Sequence, residues 1–510
     1  MEKLSPLEEF NRPKKNAQPC VMVIFGATGD LNARKLMPAL YNLEQDGELP
    51  VHFACVGFAR RPKTNEQFRT EMFEKVKEFS RTKPINEQVW DQFSNQLFYH
   101  QSEFHEDEGY ERLKKLLHDL DAKFDTQGNR VYYLSTQPSY FSIIIQKLSE
   151  HGLISPYHEN ADQHFTRVII EKPFGHDLAS AEALQEDVTK YLDENQIYRI
   201  DHYLGKETVQ NLMTLRFSNP IFESLWNNHH IDQVQISVSE EQGIGTRGAF
   251  WEEAGMLRDI VQNHMMQLLS IVAMEPPNSL DANAIRNEKV KVMQSVRPLP
   301  KTHLDKSVVR GQYDTGFIEG FEVPAYRSEP NVSPTSNVET YVAMELHIDN
   351  WRWAGVPFYL RAGKRLPKRI TEIAIVFKQV PNYLFSNNNE FPNTLVIRIQ
   401  PNEGISLKMN CKVPGMTHLQ PVKMDFRYGS YFGGTPPEAY ERLICDCLSG
   451  DNTLFARYDE LLASWKLLTP VLKHWEENPP EAFPNYHSGT WGPKAADAIL
   501  HREGRKWRLL

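Results

Sequence analysis

The segment "YRIDHYLGKETVQN", residues 198–211, crowds Asp201, His202, Tyr203, Lys206 and Glu207 together. A carboxylate, an imidazole and an ammonium so close together can orient a base, move a proton and hold a phosphate. A solvated helix face would carry the same residue types. A second stretch, "GMLRDIVQNHMMQLLSIVAM", carries an apolar stripe at helical spacing with His264 beside it. Asp259 precedes His264 by five positions, which on an ideal α-helix sets them about 140° apart. That is a poor arrangement for a carboxylate meant to orient the ring, so the orienting role is expected of Asp201. "RAGKRLPKR", residues 361–369, puts five basic residues at the end of a predicted strand and is a candidate phosphate seat. Glu240 ends another predicted strand, where it could accept hydrogen bonds from sugar hydroxyls.

The nucleotide chemistry lies elsewhere. "VMVIFGATGDL" sets Gly26 and Gly29 directly after a buried-strand pattern and before a helical one. Glycines admit a pyrophosphate to the backbone, and a helix N-terminus offers unpaired N–H groups. The next strand, "HFACVGFA", ends in Arg60–Arg61, where an NAD-binding domain usually carries an acid for the ribose 2′-hydroxyl. Guanidinium groups there suit a 2′-phosphate, so NADP is expected over NAD. "RVIIEKPFG" ends a further strand at Lys172, within reach of cofactor and substrate.

The elements that position these residues follow two grammars. Residues 21–200 alternate strand-like and helix-like segments, which implies parallel βαβ units. After residue 230, "IDQVQISVSE", "VETYVAMELHIDN", "VPFYLRAG", "EIAIVFKQV", "NTLVIRIQPN" and "GISLKMNCKV" run as a meander. That pattern predicts an antiparallel sheet with segregated helices. The expectation is a Rossmann-like α/β dinucleotide-binding domain over 1–200. An α+β domain over 201–510, with a large, mostly antiparallel sheet, would bind substrate and support oligomerisation.

The 510-residue length and ordinary composition allow two such cores. A net charge of −9 excludes a general attraction to nucleic acid or anionic membrane. The opening residues lack the apolar core of a secretory signal, and no apolar run is long enough to span a bilayer. Five scattered cysteines, with Cys445 and Cys447 as C-x-C in a predicted helix, form no disulfide framework, so a reducing cytoplasm is expected. His229–His230 and "HENADQH" lack matching ligands, and no metal is expected.

"RIDHYLGKE", "EKPFG" and "RDIVQNH" in this order, with "FGATGDL" and the closing "GTWGPKAADAIL", resemble the glucose-6-phosphate dehydrogenase family over nearly the whole chain. The resemblance implies oxidation of D-glucose 6-phosphate at C1 to 6-phospho-D-glucono-1,5-lactone, with hydride transfer to NADP+. This is the first step of the oxidative pentose phosphate pathway. It implies His264 as general base and Asp201 as its orienting carboxylate. His202, Tyr203 and Lys364 match phosphate-binding residues, and Arg369 adds charge nearby. Lys172, Lys206, Glu240, Asp259 and Gln400 match residues that hold the sugar hydroxyls. Gly26, Thr28, Gly29, Asp30, Leu31 and Arg60, with Lys172, match the coenzyme site. A cytoplasmic homodimer or homotetramer is implied as well. The family's "YLAxPP" segment reads "YLSTQPSYF" here, with Ser135 and Gln137 as departures.

Animal members hold a second, structural NADP. Arg361, Arg398 and Lys408 match residues of that site, but Ile370, Ala374 and Ser406 replace two cations and a tyrosine. One dinucleotide per chain is therefore expected. Two rivals explain less: the glucose–fructose oxidoreductase group shares "EKP" and the nucleotide half but not "RIDHYLGKE", and a non-catalytic NADPH sensor would need no base.

Overall fold

The computed structural model describes residues 17–157, 164–300, 302, 304–380, 391–416, 419–431, 433 and 437–510. Residues 1–16 and most of "HENADQH" lie outside the described residues. Two compact units are present. The first is formed by the described residues of Met1–Lys206, Pro277–Asn287 and Thr435–Leu462; the second holds the rest.

The first unit is built on six parallel strands: β1 (Cys20–Phe25), β2 (Phe53–Ala59), β3 (Leu97–Gln101), β4 (Arg130–Leu134), β5 (Thr166–Ile170) and β6 (Ile197–Ile200). Their order is β6-β5-β4-β1-β2-β3, and the short strand Phe455–Ala456 pairs antiparallel with β6. Strands covered on both faces read as unbroken apolar runs, and β1 and β2 are buried at every position. Val21, Val23, Phe25, Phe58, Tyr132 and Val168 share one core, with the Phe25 and Phe58 rings 4.7 Å apart. The order reverses between β4 and β1. At such a switch point, loops leave in opposite directions and open a crevice at the carboxyl ends. The charged stretch after β2 contains the expected helices, Asn65–Phe79, Glu87–Ser94 and Asp107–Phe124, but also β3. "LFYHQ" is an edge strand with two polar residues, so it lacks the apolar run that marks its neighbours.

In the second unit eight strands form one sheet: β7 (Ile231–Ser239), β8 (Val308–Gly311), β9 (Tyr341–His347), β10 (Pro357–Gly363), β11 (Ile370–Phe377), β12 (Thr394–Gln400), β13 (Gly404–Lys412) and β14 (Leu419–Arg427). The order is β14-β13-β12-β11-β7-β10-β9-β8. All six strands of the meander form. The β7–β10 pair is parallel, and the other neighbours are antiparallel. In β7 the polar Gln233, Gln235, Ser237 and Ser239 alternate with Val234, Ile236 and Val238, yet both sets are buried. The C-terminal segment meets Gln235 of this set: its Nε2 donates to Lys506 O (2.9 Å), and Arg508 N donates to its Oε1 (2.8 Å). Among the described residues no helix is long and apolar enough to cross a membrane.

Candidate active site

In the first unit the expected nucleotide residues gather at the carboxyl ends of β1, β2 and β5. Gly26 follows β1 with φ +82°, and a Cβ there would stand 2.2 Å from the Ser135 carbonyl oxygen at the end of β4. Only glycine fits this close approach with a left-handed backbone. Gly29 N donates to Gly26 O (2.8 Å), closing the turn through Thr28. Asn32, which the sequence reading passed over, is fully buried, and its Nδ2 donates to Ala27 O (2.7 Å). It braces the turn from the first residue of a π-helical stretch, Asn32–Leu36. Leu31 precedes that stretch, and Asp30 is exposed beside Arg34 (3.1 Å). Arg60 and Arg61 are exposed just beyond β2. Ser135, one of the departures, touches the turn through its backbone, which any residue supplies.

The opening segment follows β6. Asp201 Oδ1 accepts from Tyr203 N (2.9 Å), folding the chain back so that the Lys206 ammonium lies 5.2 Å from the Tyr203 ring centre. Asp201 and Tyr203 are buried, whereas His202 and Lys206 are partly open. The His202 ring lies 6.3 Å from Tyr440 and nearly parallel to it. At the end of the neighbouring β5, Lys172 follows the buried Glu171. Glu171 Oε1 accepts from the Tyr133 hydroxyl (2.6 Å), and Tyr440 also hydrogen-bonds to this carboxylate. Burial raises its pKa, while those two hydroxyls and the Lys172 charge pull the other way. Glu171 and Tyr440 were missed: the first is visible inside "EKP", but Tyr440 comes from far along the chain and has no local signal.

In the second unit the parallel β7–β10 pair explains the meeting of Glu240 and Lys364. Ser239 and Gly363 are register partners, so the next residue of each strand emerges at the same end. Glu240 N donates to Gly363 O (2.9 Å) and Lys364 N to Thr340 O (3.0 Å). The Lys364 ammonium ion-pairs with Glu240 Oε2. β11 begins at this same end, because Ile370 pairs with Ser239, and β12 finishes there, because Thr371 pairs with Gln400. Arg369 and Gln400 therefore share the sheet end with Glu240 and Lys364. Gln400 Nε2 donates to Thr371 Oγ1 (3.0 Å).

The basic run does not act as one patch. Arg361 is buried, its Nε donating to Ser237 Oγ (3.0 Å) and its guanidinium 4.7 Å from the Trp507 ring. Arg365 pairs with Glu329 (3.2 Å). Lys368 and Arg369 are the exposed pair.

The helical expectation for Asp259 and His264 needs correction. Leu257–Met265 is a π-helix, with Met266 N donating to Val261 O, five residues back. In such a helix residues i and i+5 follow one another along the bonding direction, so the separation of about 140° reckoned for an α-helix does not apply. Asp259 and His264 share a face, and both are buried. The apolar stripe gave the helix but not its winding.

Comparison with known proteins places this geometry. The family model "Glucose-6-phosphate dehydrogenase, NAD binding domain" matches residues 23–211, and "Glucose-6-phosphate dehydrogenase, C-terminal domain" matches 213–508. Glucose-6-phosphate 1-dehydrogenase of Chlamydia pneumoniae is 56% identical over 509 residues, covering 98% of each chain. That of Bacillus subtilis is 45% identical, covering 97% of this chain and 99% of its own. A solved glucose-6-phosphate dehydrogenase in complex with its substrate glucose-6-phosphate superimposes with a TM-score of 0.87 at 37% identity, covering 98% of this chain and all of that one.

Proposed function

The chain belongs to the glucose-6-phosphate dehydrogenase family, and we propose that it oxidises D-glucose 6-phosphate at C1 with NADP+ as acceptor. It is an oxidoreductase of CH–OH groups that uses a nicotinamide dinucleotide. The reaction is the first step of the oxidative pentose phosphate pathway. The observation that carries the reading is the Glu240–Lys364 pair at one sheet end, with Arg369 and Gln400 beside it. It combines a cation for a phosphate with acceptors and donors for sugar hydroxyls.

The dinucleotide fits the first unit, where a Cβ at Gly26 would fill the cradle. Gly26, Thr28, Gly29, Asp30 and Leu31 supply its backbone seat, Arg60 meets the 2′-phosphate, and Lys172 reaches toward the nicotinamide end. A nicotinamide held there would supply the acceptor for the hydride that leaves C1. His264 takes the proton of the C1 hydroxyl, and Asp201 fixes its tautomer and offsets the imidazolium charge. His202, Tyr203, Lys364 and Arg369 hold the phosphate, which anchors the far end of the sugar and sets C1 in place. Lys172, Lys206, Asp259, Glu240 and Gln400 hold the hydroxyls. Loss of the hydride and the proton leaves the 1,5-lactone.

One dinucleotide binds per chain. Arg361, one of the cations matching a second site, is held between Trp507, Ser237 and the Arg508 carbonyl, which supports this. Exposed Val422 and Met424 on edge strand β14 suit self-association as a homodimer or homotetramer in the cytoplasm.

Absorbance at the reduced-nicotinamide band, followed with glucose 6-phosphate and NADP+, tests the proposal. One lactone should form per NADPH. No reduction, or reduction with NAD+ alone, refutes it. Calorimetry on stripped enzyme should give one NADP+ per chain; two would overturn that part.

A further inference from the structure

Lys364 carries its charge on a flexible four-carbon stem, and free rotation of that stem would blur a phosphate seat. Its surroundings restrict it. The ammonium lies 4.8 Å from the centre of the Trp251 ring while pairing with Glu240. Trp251 is fully buried, and the Lys364 side chain is only 9% exposed, so the cation meets the indole face with little water to weaken the attraction. The ring is fixed in turn, since Trp251 Nε1 donates to Glu339 O (3.3 Å). That carbonyl also accepts from Met256 N (3.1 Å), and the Glu339 carboxylate accepts from Leu257 N (2.9 Å). Glu339 thus caps the π-helix that bears Asp259 and His264. The fit is close: Gly255 has φ +63°, and a Cβ there would stand 2.6 Å from Glu339 Oε1. Glu339 is buried, which raises its pKa, and the Leu257 N–H works against that rise.

We propose that Trp251 is a positioning residue for the substrate phosphate: its indole face holds the Lys364 ammonium where the phosphate arrives, and Glu339 ties that face to the start of the helix carrying His264. This rests on the reading of Lys364 as a phosphate ligand. A buried tryptophan that merely filled the core would stabilise the fold without acting through Lys364.

Double-mutant kinetics on the intact enzyme separate the two. Trp251→Leu is expected to raise KM for glucose 6-phosphate roughly tenfold, to weaken inhibition by inorganic phosphate in parallel, and to leave KM for NADP+ and kcat within about twofold. Trp251→Phe, which keeps a weaker ring, should recover most of the loss. In a Lys364→Ala background the Trp251 change should add nothing to KM. An unchanged KM in Trp251→Leu, or losses that add fully in the double mutant, would overturn the proposal. Should Trp251→Leu not fold, Trp251→Phe decides the matter: it should raise KM about threefold with Lys364 present and not at all without it. If wild-type enzyme reduces no NADP+ with glucose 6-phosphate, the functional reading itself fails, independently of any variant.

Discussion

The nucleotide end of the first unit and the sheet end of the second are built in different ways. At the first, the geometry is mostly backbone: a glycine turn and N–H groups just after β1, with Arg60 and Arg61 following the end of β2. Spacing within ten residues sets the geometry of the glycine turn itself, because Gly26 needs its left-handed backbone and the distant Ser135 contributes only a carbonyl. At the second, side chains do the work, and they come from strands far apart in sequence. Glu240 and Lys364 meet only because β7 and β10 run parallel within an otherwise antiparallel sheet. Local geometry can be read from a string of residues, whereas a meeting set by strand order cannot.

Substitutions at the two ends put this contrast to the test. The largest effect is expected in the second unit, at the proposed base on its π-helix. His264→Asn should preserve substrate binding and lose about two to four orders of magnitude in kcat. Near-normal turnover at neutral pH would remove His264 as the base.

At the backbone end, Arg60→Ala should cost roughly 1.5–3 kcal/mol in NADP+ binding. KM for NADP+ should rise far more than KM for NAD+, which has no 2′-phosphate. Equal changes would place Arg60 away from that phosphate. Gly26→Ala should cost at least about 1–3 kcal/mol in backbone strain, to which the clash with the Ser135 carbonyl adds, read as a higher KM for NADP+ and a lower Tm. A variant matching wild type in both would mean that the turn accepts a side chain.

The smallest effects divide the basic run. Arg361→Ala leaves buried partners unmet and should lower stability by about 1–3 kcal/mol in urea unfolding. Exposed Lys368→Ala should stay within about 0.5 kcal/mol. Equal losses would contradict the division of this run into fold and surface.

The same contrast explains what was legible in the sequence. β1 and β2 are buried apolar strands, β4 and β5 end in apolar runs after one or two polar residues, and the later strands are short apolar stretches separated by turns, so both fold classes were visible. β3 escaped because edge strands need no apolar run, and β6 because "IYRI" is only four residues. The winding of Leu257–Met265 was hidden because an apolar stripe looks alike in α- and π-helices over so few turns. Three of the five cations in "RAGKRLPKR" proved to be engaged by Ser237, Glu240 and Glu329. Those partners lie far away in sequence, so composition made the run look like one open patch. Trp251 and Glu339 gave no sign, since neither belongs to a motif and each acts through a contact more than 80 residues away.

In the proposed reaction the sugar phosphate anchors the substrate at the sheet end. The most direct test compares kcat/KM for glucose 6-phosphate with that for glucose, in wild type and in Lys364→Ala, at saturating NADP+. Wild type should prefer the phosphorylated sugar by at least about two orders of magnitude, in line with a charge-assisted anchor of several kcal/mol. Lys364→Ala should lose much of that preference while its slow rate with glucose is unchanged. A wild-type enzyme that treats the two sugars alike, or a Lys364→Ala variant that keeps the full preference, would contradict the account.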